Sequence, residues 1–260
     1  MINNPIIEAM LNRKSIRQYN DESPSDEVIA AIVRAGQQAP FASQLYSLLL
    51  SRNKDKHPFK APLLFTICVD FHKLEHIMAR RHWQMVTNDL LLLLFGIQDA
   101  SLMAENMVMA AESLGLGSCF LGIFPNIIER IVKEYELPKR VFPLVRLAMG
   151  YPAENPASRP RYPMDFVLFE DKYPEFSEEM ITKAMMEMDE GYIAQDYYRE
   201  ANYKIPLETD RKETFTFTNY GWTEHISRKW GQWEASPKNL LEQFAMCGFH
   251  IPETNMKEAE

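Results

Sequence analysis

The 260-residue chain carries 28 Lys and Arg against 36 Asp and Glu, a net charge of −8, with 46% hydrophobic and 25% charged residues. That balance belongs to a folded globular chain, long enough to bury a sizeable core as one domain with elaborations, and not to a disordered or fibrous one. The acidic field argues against general affinity for nucleic acid or anionic membrane, so any anion must be held in a local pocket.

In chain order, NPIIEAMLN starts at Pro5 and sets Ile6, Ile7, Met10 and Leu11 at helical spacing, predicting a short amphipathic helix that ends near the basic stretch NRKSIRQY. SPSDEVIAAIVRAGQQAP predicts a second helix, with Ser25 or Asp26 as cap, an acidic first turn, apolar Val28, Ile29, Ile32 and Val33, and a stop by Pro40. LYSLLLS (45–51) and LLFTICVD (63–70) read as buried strands, although periodicity alone does not separate a short buried strand from a helix. Residues 83–114 read as helix. From Asp99 to Leu114 that helix is apolar or small nearly all round, which places it in an interior or at a subunit interface, and Gly115 is its expected left-handed cap.

CFLGIF (119–124) follows as a strand, NIIERIVKEYEL (126–137) as a helix and FPLVRLAMGYP as another strand, so helices and strands interleave in a mixed α and β architecture. Residues 155–163 are proline-rich and irregular. Beyond them come two helical stretches within 178–198, then SPKNLLEQFAMCGF, with Ser236 capping, Pro237 at the first position and Gly248 at the end. Cys68, Cys119 and Cys247 form no C-x-x-C pair and read as reduced core residues. MINNPIIEAM lacks a leader pattern and carries Glu8, and the longest apolar run, Leu90 to Ile97, is far short of the roughly 20 residues that span a bilayer. The cytoplasm is the expected compartment.

Two basic groups stand out. Arg13, Lys14 and Arg17 surround Ser15; in an extended chain Arg13, Ser15 and Arg17 point to one side, and in a helix Arg13 and Arg17 share a face. Either geometry lets two guanidinium forks and a hydroxyl converge on one group such as a phosphate, whereas the plainer alternative is a solvated cluster complementing a helix dipole. SRPRYP adds Arg159 and Arg161 on a proline-stiffened loop, so two arginine pairs closing on one ligand stand against a solvated surface loop. Gly115, Gly117 and Gly122 do not make a G-x-G-x-x-G motif, but a glycine at 122 inside an apolar strand lets either a flat ligand or a close neighbour lie against the backbone. His72 and His76 have helical spacing for a metal, with His82 nearby and no third ligand evident. FTFTNYGWTEHISRKWGQW (215–233) is rich in aromatics, which either sandwich a planar ligand or fill a core or a subunit contact. With no G-x-S-x-G, H-E-x-x-H or P-loop, the chemistry is expected from a bound cofactor.

Taken together, RKSIR, ENMVMAAESLGLGSCFLGIF, LPKRVFPLVRLAMGYPAENPASRPRYP and TEHISRKW, in this order from about Ile7 to Phe249, resemble the nitroreductase family and its branch of NADPH-dependent flavin reductases and oxygen-insensitive nitroreductases. The resemblance implies an α+β fold, a central mostly antiparallel sheet flanked by helices, and a homodimer with exchanged C-terminal segments. It divides the chain into a core over 1–170 and a helical extension over 171–260 that wraps the partner subunit within the same domain. It also implies one FMN per subunit at the interface, NADPH or NADH as reductant, and a small-molecule acceptor such as a nitroaromatic, a quinone or free flavin.

Carried over by position, Arg13, Lys14, Ser15 and Arg17 fall on the FMN phosphate and ribityl region and Gln44 near the flavin. Phe120, Leu121, Gly122 and Ile123 fall on the segment beside the ring, with the Gly122 amide near the flavin N5. Arg159 and Arg161 fall on the phosphate and the pyrimidine edge. The flavin does the chemistry, so the resemblance assigns no catalytic side chain and no metal. The sequence departs from the pattern at Phe41, where the branch has serine with Ser43 nearby, and at the shortened loop within 51–62, where Asp55 stands nearest to an expected glutamine. It departs again at Ala201, where an arginine for the NADPH phosphate would fall, leaving Arg199, Arg211 and Lys212 as substitutes. The alternative function is a flavin-binding module of the same fold with little or no turnover.

Overall fold

The computed structural model describes residues 4–123, 125–208, 211–234 and 236–251, with Asn126 described by its backbone alone. The chain divides into two compact units: unit 1 is Met1–Pro156 with Ser236–Glu260, and unit 2 is Ala157–Ala235.

Unit 1 opens with α1 (Pro5–Asn12), where the Asn4 side chain accepts the Ile6 and Ile7 amides at 2.9 and 3.3 Å and Pro5 occupies the first turn. Ser25 caps α2 (Asp26–Gln37), which buries Ile29 and Ile32. β1 (Tyr46–Ser51), β2 (Leu63–Asp70), α3 (His72–Arg80), α4 (Asp89–Ser113), β3 (Gly117–Gly122), α5 (Pro125–Glu134) and β4 (Val141–Gly150) follow. The four strands form one sheet in the order β1-β2-β4-β3, and every pairing is antiparallel. Phe65 faces Leu147 across β2 and β4, and Cys119 faces Ala148 across β3 and β4. The fold class is therefore α+β, a central antiparallel sheet flanked by helices.

The core lies where α2 and α4 cover the sheet: Ile32, Phe65, Met107 and Leu147 are wholly or almost wholly buried in one cluster. Gly36 makes the helix crossing close, since a Cβ there would come within 2.6 Å of Met107 Cγ. Leu92, Phe71, Phe142 and Phe249 build a second cluster. α4 is 25 residues and apolar enough by length and composition to cross a membrane, but half of its most apolar window is buried inside the protein. Leu90, Leu94 and Leu102 of the same helix are exposed. The three cysteines are buried and unpaired, and burial pushes the thiol of Cys68 up to about 12 and that of Cys247 to about 11.

Unit 2 contains α6 (Glu178–Ala194), α7 (Tyr197–Glu200) and α8 (Trp222–Gln232). Its core is aromatic: Met188, Tyr192, Tyr198 and Tyr220 are buried, with Phe215, Phe217 and Trp222 packed against them. Arg228, 5% exposed, donates to Glu213 at 2.7 and 2.8 Å, to Glu224 at 2.7 Å and to the Ile205 carbonyl at 2.9 Å. The chain then returns to unit 1 as α9 (Pro237–Met246), capped by Ser236.

Several boundaries differ from the sequence reading. Residues 83–88 are not helical, because the Asn88 side chain accepts the Leu91 amide at 2.9 Å and starts α4 at Asp89. The strand read at 119–124 runs two residues earlier, paired from Gly117 to Gly122, and Phe124 lies outside the described residues. α5 stops at Glu134 rather than 137, with Glu136 turning left-handed at φ 50°. α3 and α8 are helices that the pattern did not announce. Gly115 and Gly248 do terminate their helices at φ 79° and 84°.

Candidate active site

The basic cluster follows directly on α1. Arg13 leaves the helix with φ −56° and ψ 136°, so of the two geometries open to the sequence the extended one is adopted. The segment lies along the outer edge of β3: Ser15 bridges Ser118, and the Ile16 amide donates to the Ser118 carbonyl at 2.8 Å. Ile16, 3% exposed, occupies the space that Gly117 leaves, where a Cβ would come within 2.4 Å of its Cγ1. With Ile16 locked inward, alternation sends Ser15 and Arg17 to the opposite side.

The chain beyond β4 fastens the same segment. The Glu154 carboxylate accepts the amides of Arg17 and of Gln18, the latter at 3.0 Å, and the Asn20 amide donates to the Tyr151 carbonyl at 3.0 Å. Lys14 Nζ donates to Asn155 Oδ1. The guanidinium groups of Arg13, half-buried, and Arg17, exposed, donate no hydrogen bond and close no ion pair among the described residues. Their charge falls on two neighbours. Burial raises the Cys119 thiol, with Arg17, the Ser15 hydroxyl and Arg13 acting against it. Burial likewise raises the Glu112 carboxyl at the end of α4, against the pull of Arg13 and Lys14. Glu112 Oε1 is buried with no hydrogen-bond partner.

Past Ser118 the outer edge of β3 is unpaired among the described residues, because β3 ends the sheet and the 13–20 segment engages it only at Ser118. Phe120 and Gly122 are exposed there and Leu121 is half-buried. Gly122 has no positive φ, and a Cβ built on it meets nothing within 4 Å. Neither backbone conformation nor packing accounts for the missing side chain.

These features fit a phosphate monoester carrying a flat ring. Two guanidinium forks and a hydroxyl suit a dianion, with the Lys14 ammonium held apart on Asn155, while a free strand edge and the open face at Gly122 suit a ring laid against backbone. The fit to FMN thus rests on unpaired donors and on an unfilled space, both within unit 1.

Gln44 stands on a different part of unit 1. The loop after α2 is fixed by Asp99 of α4, which is 1% exposed and accepts the amides of Ala42 at 2.6 Å and of Ser43 and Leu45 at 3.0 Å. Gln44 lies between these donors, exposed and left-handed at φ 54°. Leu45 and Ile123 share the second apolar cluster, which links this loop to the end of β3. Asp99 and Glu112 are 13 residues apart on α4, so the Gln44 loop and the basic segment sit about 20 Å apart along the helix. Asp99 was not recognisable in the sequence, being a single acid in an apolar run.

Arg159 and Arg161 lie in unit 2. Arg159 donates to Gln195 Oε1 at 2.7 Å and stacks over the Tyr197 ring at 4.0 Å, and Arg161 donates to the carbonyls of Arg159 and Pro160 at 3.0 Å. Of the residues that depart from the family pattern, Phe41 is 51% exposed and Asp55 is exposed in a short 3₁₀ turn. His57 braces that loop, its ring nitrogens 2.8 Å from the Ala61 carbonyl and 2.7 Å from Ser51 Oγ. Ala201 follows α7, and Arg199 pairs with Asp196 at 2.9 Å. Thr209 and Asp210, between Ala201 and Arg211, lie outside the described residues. The 215–233 stretch divides: Tyr220 is buried in unit 2, whereas Trp230 and Trp233 are exposed. His72 and His76 bring their Nε2 atoms to 3.1 Å, but the described residues contain no group of three metal-binding side chains.

Known proteins share this fold. The profile of the nitroreductase family matches residues 10–57 and 49–151, the segments that build the sheet and the basic cluster. An oxygen-insensitive NADPH nitroreductase from Salmonella typhimurium is 30% identical over 238 residues, 86% of this chain and 90% of its own. An FMN reductase (NADPH) from Bacillus subtilis is 30% identical over 213 residues, 76% of this chain and 84% of its own. The solved NfrA1 nitroreductase from B. subtilis superposes with a TM-score of 0.77 at 26% identity, covering 94% of this chain and 98% of that one. Sequence identity along most of both chains, a shared fold and a basic segment laid on the edge strand lead to one assignment: the chain belongs to the nitroreductase family.

Proposed function

We propose that this protein is an FMN-dependent NAD(P)H oxidoreductase that reduces nitroaromatics, quinones or free flavin in alternating half-reactions. The observation that carries the reading is the pair of unpaired guanidinium groups on the segment that runs along β3 at Ser118, the strand whose open edge continues to Gly122. FMN, held by the residues below, would supply the hydride and electron-transfer chemistry. The chain's own residues bind and orient. Arg13, Lys14, Ser15 and Arg17 hold the phosphate, the backbone of Phe120–Ile123 carries the ring, and Arg159 and Arg161 add charge at the phosphate and the pyrimidine edge. A guanidinium at that edge would favour negative charge on the bound group.

The relatives named above, and a Cr(VI) reductase from a Pseudomonas strain that is 31% identical over 222 residues, support reduction of small electron acceptors. A homodimer completes the reading. α1 exposes Ile6, Met10 and Leu11 and the adjoining α4 exposes Leu90 and Leu94, an apolar surface of the kind that marks an interface. The 20 Å between the Gln44 loop and the basic segment supports a site completed by a second copy. The C-terminal part, 171–260, is then the segment that wraps the partner, and the cytoplasm is the working compartment.

The test is spectroscopic. Purified protein titrated with FMN develops a bound-flavin spectrum, and stopped-flow mixing with NADPH or NADH bleaches it. A protein that binds no FMN sinks the proposal, and one that binds FMN but is reduced by neither nicotinamide is a flavin-binding module.

A further inference from the structure

Asp99 is buried on α4 without a cation: no ion pair reaches it among the described residues, and three amides of one loop are its hydrogen-bond donors. An ionised carboxylate is costly to bury unless its oxygens are satisfied, so those three bonds are a condition of the fold, and the loop takes whatever shape delivers them. Delivering them has a geometric consequence. The amides of Ala42, Ser43 and Leu45 turn inward to one side chain, the amide of Gln44 is left out, and the backbone passes through φ 54° at that residue. A non-glycine residue rarely adopts that region and holds it when its surroundings impose it. The side chain of Gln44 is thereby displayed outward.

We infer that Asp99 is a positioning residue that pre-forms the Gln44 loop for the flavin, acting through the backbone of Ala42–Leu45 without touching the cofactor. This rests on the proposed FMN site. The inference adds that the loop is ordered before the cofactor arrives, so FMN meets a competent conformation and does not spend binding energy on ordering it. Where the competent conformation is populated only a tenth of the time, apparent affinity falls about tenfold.

Asp99→Asn keeps the volume but points an amide at three donors, so at least one of them loses its acceptor. The expected result is FMN affinity weakened about tenfold, an altered visible circular dichroism of the flavin that does bind, and an unchanged far-ultraviolet spectrum. Wild-type FMN affinity and wild-type visible dichroism in Asp99→Asn overturn the inference. Failure of the unaltered protein to bind FMN refutes instead the function on which it rests. A variant-free measurement guards against a variant that does not fold: in the FMN-free protein the amides of Ala42, Ser43 and Leu45 are expected to be protected from hydrogen exchange, and free exchange at these positions, with protection only after FMN is added, overturns pre-formation.

Discussion

Gly117 and Gly122 bound the same strand for opposite reasons. A side chain at Gly117 would collide with Ile16, so that glycine is a packing requirement, whereas Gly122 has space on every side and an ordinary φ. Gly122→Ala is therefore expected to leave stability within about 0.5 kcal/mol of the unaltered protein in urea denaturation. The same variant is expected to weaken FMN binding about tenfold, the effect of a methyl group misfit in a close backbone contact. Equal FMN affinity for the two proteins would remove the strand edge from the site. Residues of this kind were partly legible in advance. Arg13, Lys14, Ser15 and Arg17 announce themselves as a charge cluster in an acidic chain, and Gly122 as a gap in an apolar strand. Asp99 does not, because its role is defined by amides up to 57 positions away and by burial that composition does not reveal.

Arg140 ties three parts of unit 1 together. Its guanidinium donates to Glu75 of α3 at 2.6 Å, to Asp89 of α4 at 2.8 and 2.9 Å and to the Gly248 carbonyl at 2.9 Å, and it lies 4.8 Å over the Phe249 ring. The His250 amide adds a bond to Asp89 at 2.6 Å, so the chain beyond α9 is fastened by the Arg140–Asp89 pair. Burial on its own would raise the Asp89 carboxyl, but Arg140 and the His250 amide outweigh it and hold the carboxyl below the usual range. That contribution is fully present above the unfolded carboxyl's pKa of about 4 and is lost as pH falls through the folded value. Arg140→Ala strands a nearly buried carboxylate and is expected to cost about 3 kcal/mol, measured by urea denaturation at neutral pH, with the gap narrowing in acid. A loss under about 0.5 kcal/mol would show the cluster to be incidental. At this scale the strands and the capped helices were legible, since Ser25 and Ser236 sit beside their helices in sequence. α8 was not, because no side chain of its flanking residue caps it. Its Thr223 amide and hydroxyl donate to Asp189 on α6, a tertiary cap that local pattern does not display. α3 has nine residues and a polar composition, and Phe71 stands at its N-cap, the Lys73 amide being accepted instead by Asp70 at 3.2 Å, too little for periodicity to separate it from a loop.

For the whole molecule, the exposed apolar face of α1 and α4 predicts a particle of twice the 30.3 kDa chain mass in sedimentation at micromolar concentration. Leu94→Glu puts a carboxylate on that face and is expected to shift the protein to monomer and weaken FMN binding in parallel. A monomeric parent, or a monomeric variant with parental FMN affinity, would leave the site to one chain. The order of the two units has its own consequence. The polypeptide leaves unit 1 at Pro156 and re-enters it at Ser236, and the Arg140 cluster rivets the returning end in place. Unit 2 is thus a loop in the topological sense, tethered at both mouths, and lengthening such a loop twofold costs only about 0.6 kcal/mol of closure entropy. Insertions into the exposed, irregular connections of unit 2, away from Arg159 and Arg161 and from its aromatic core, are therefore expected to leave the sheet of unit 1 folded.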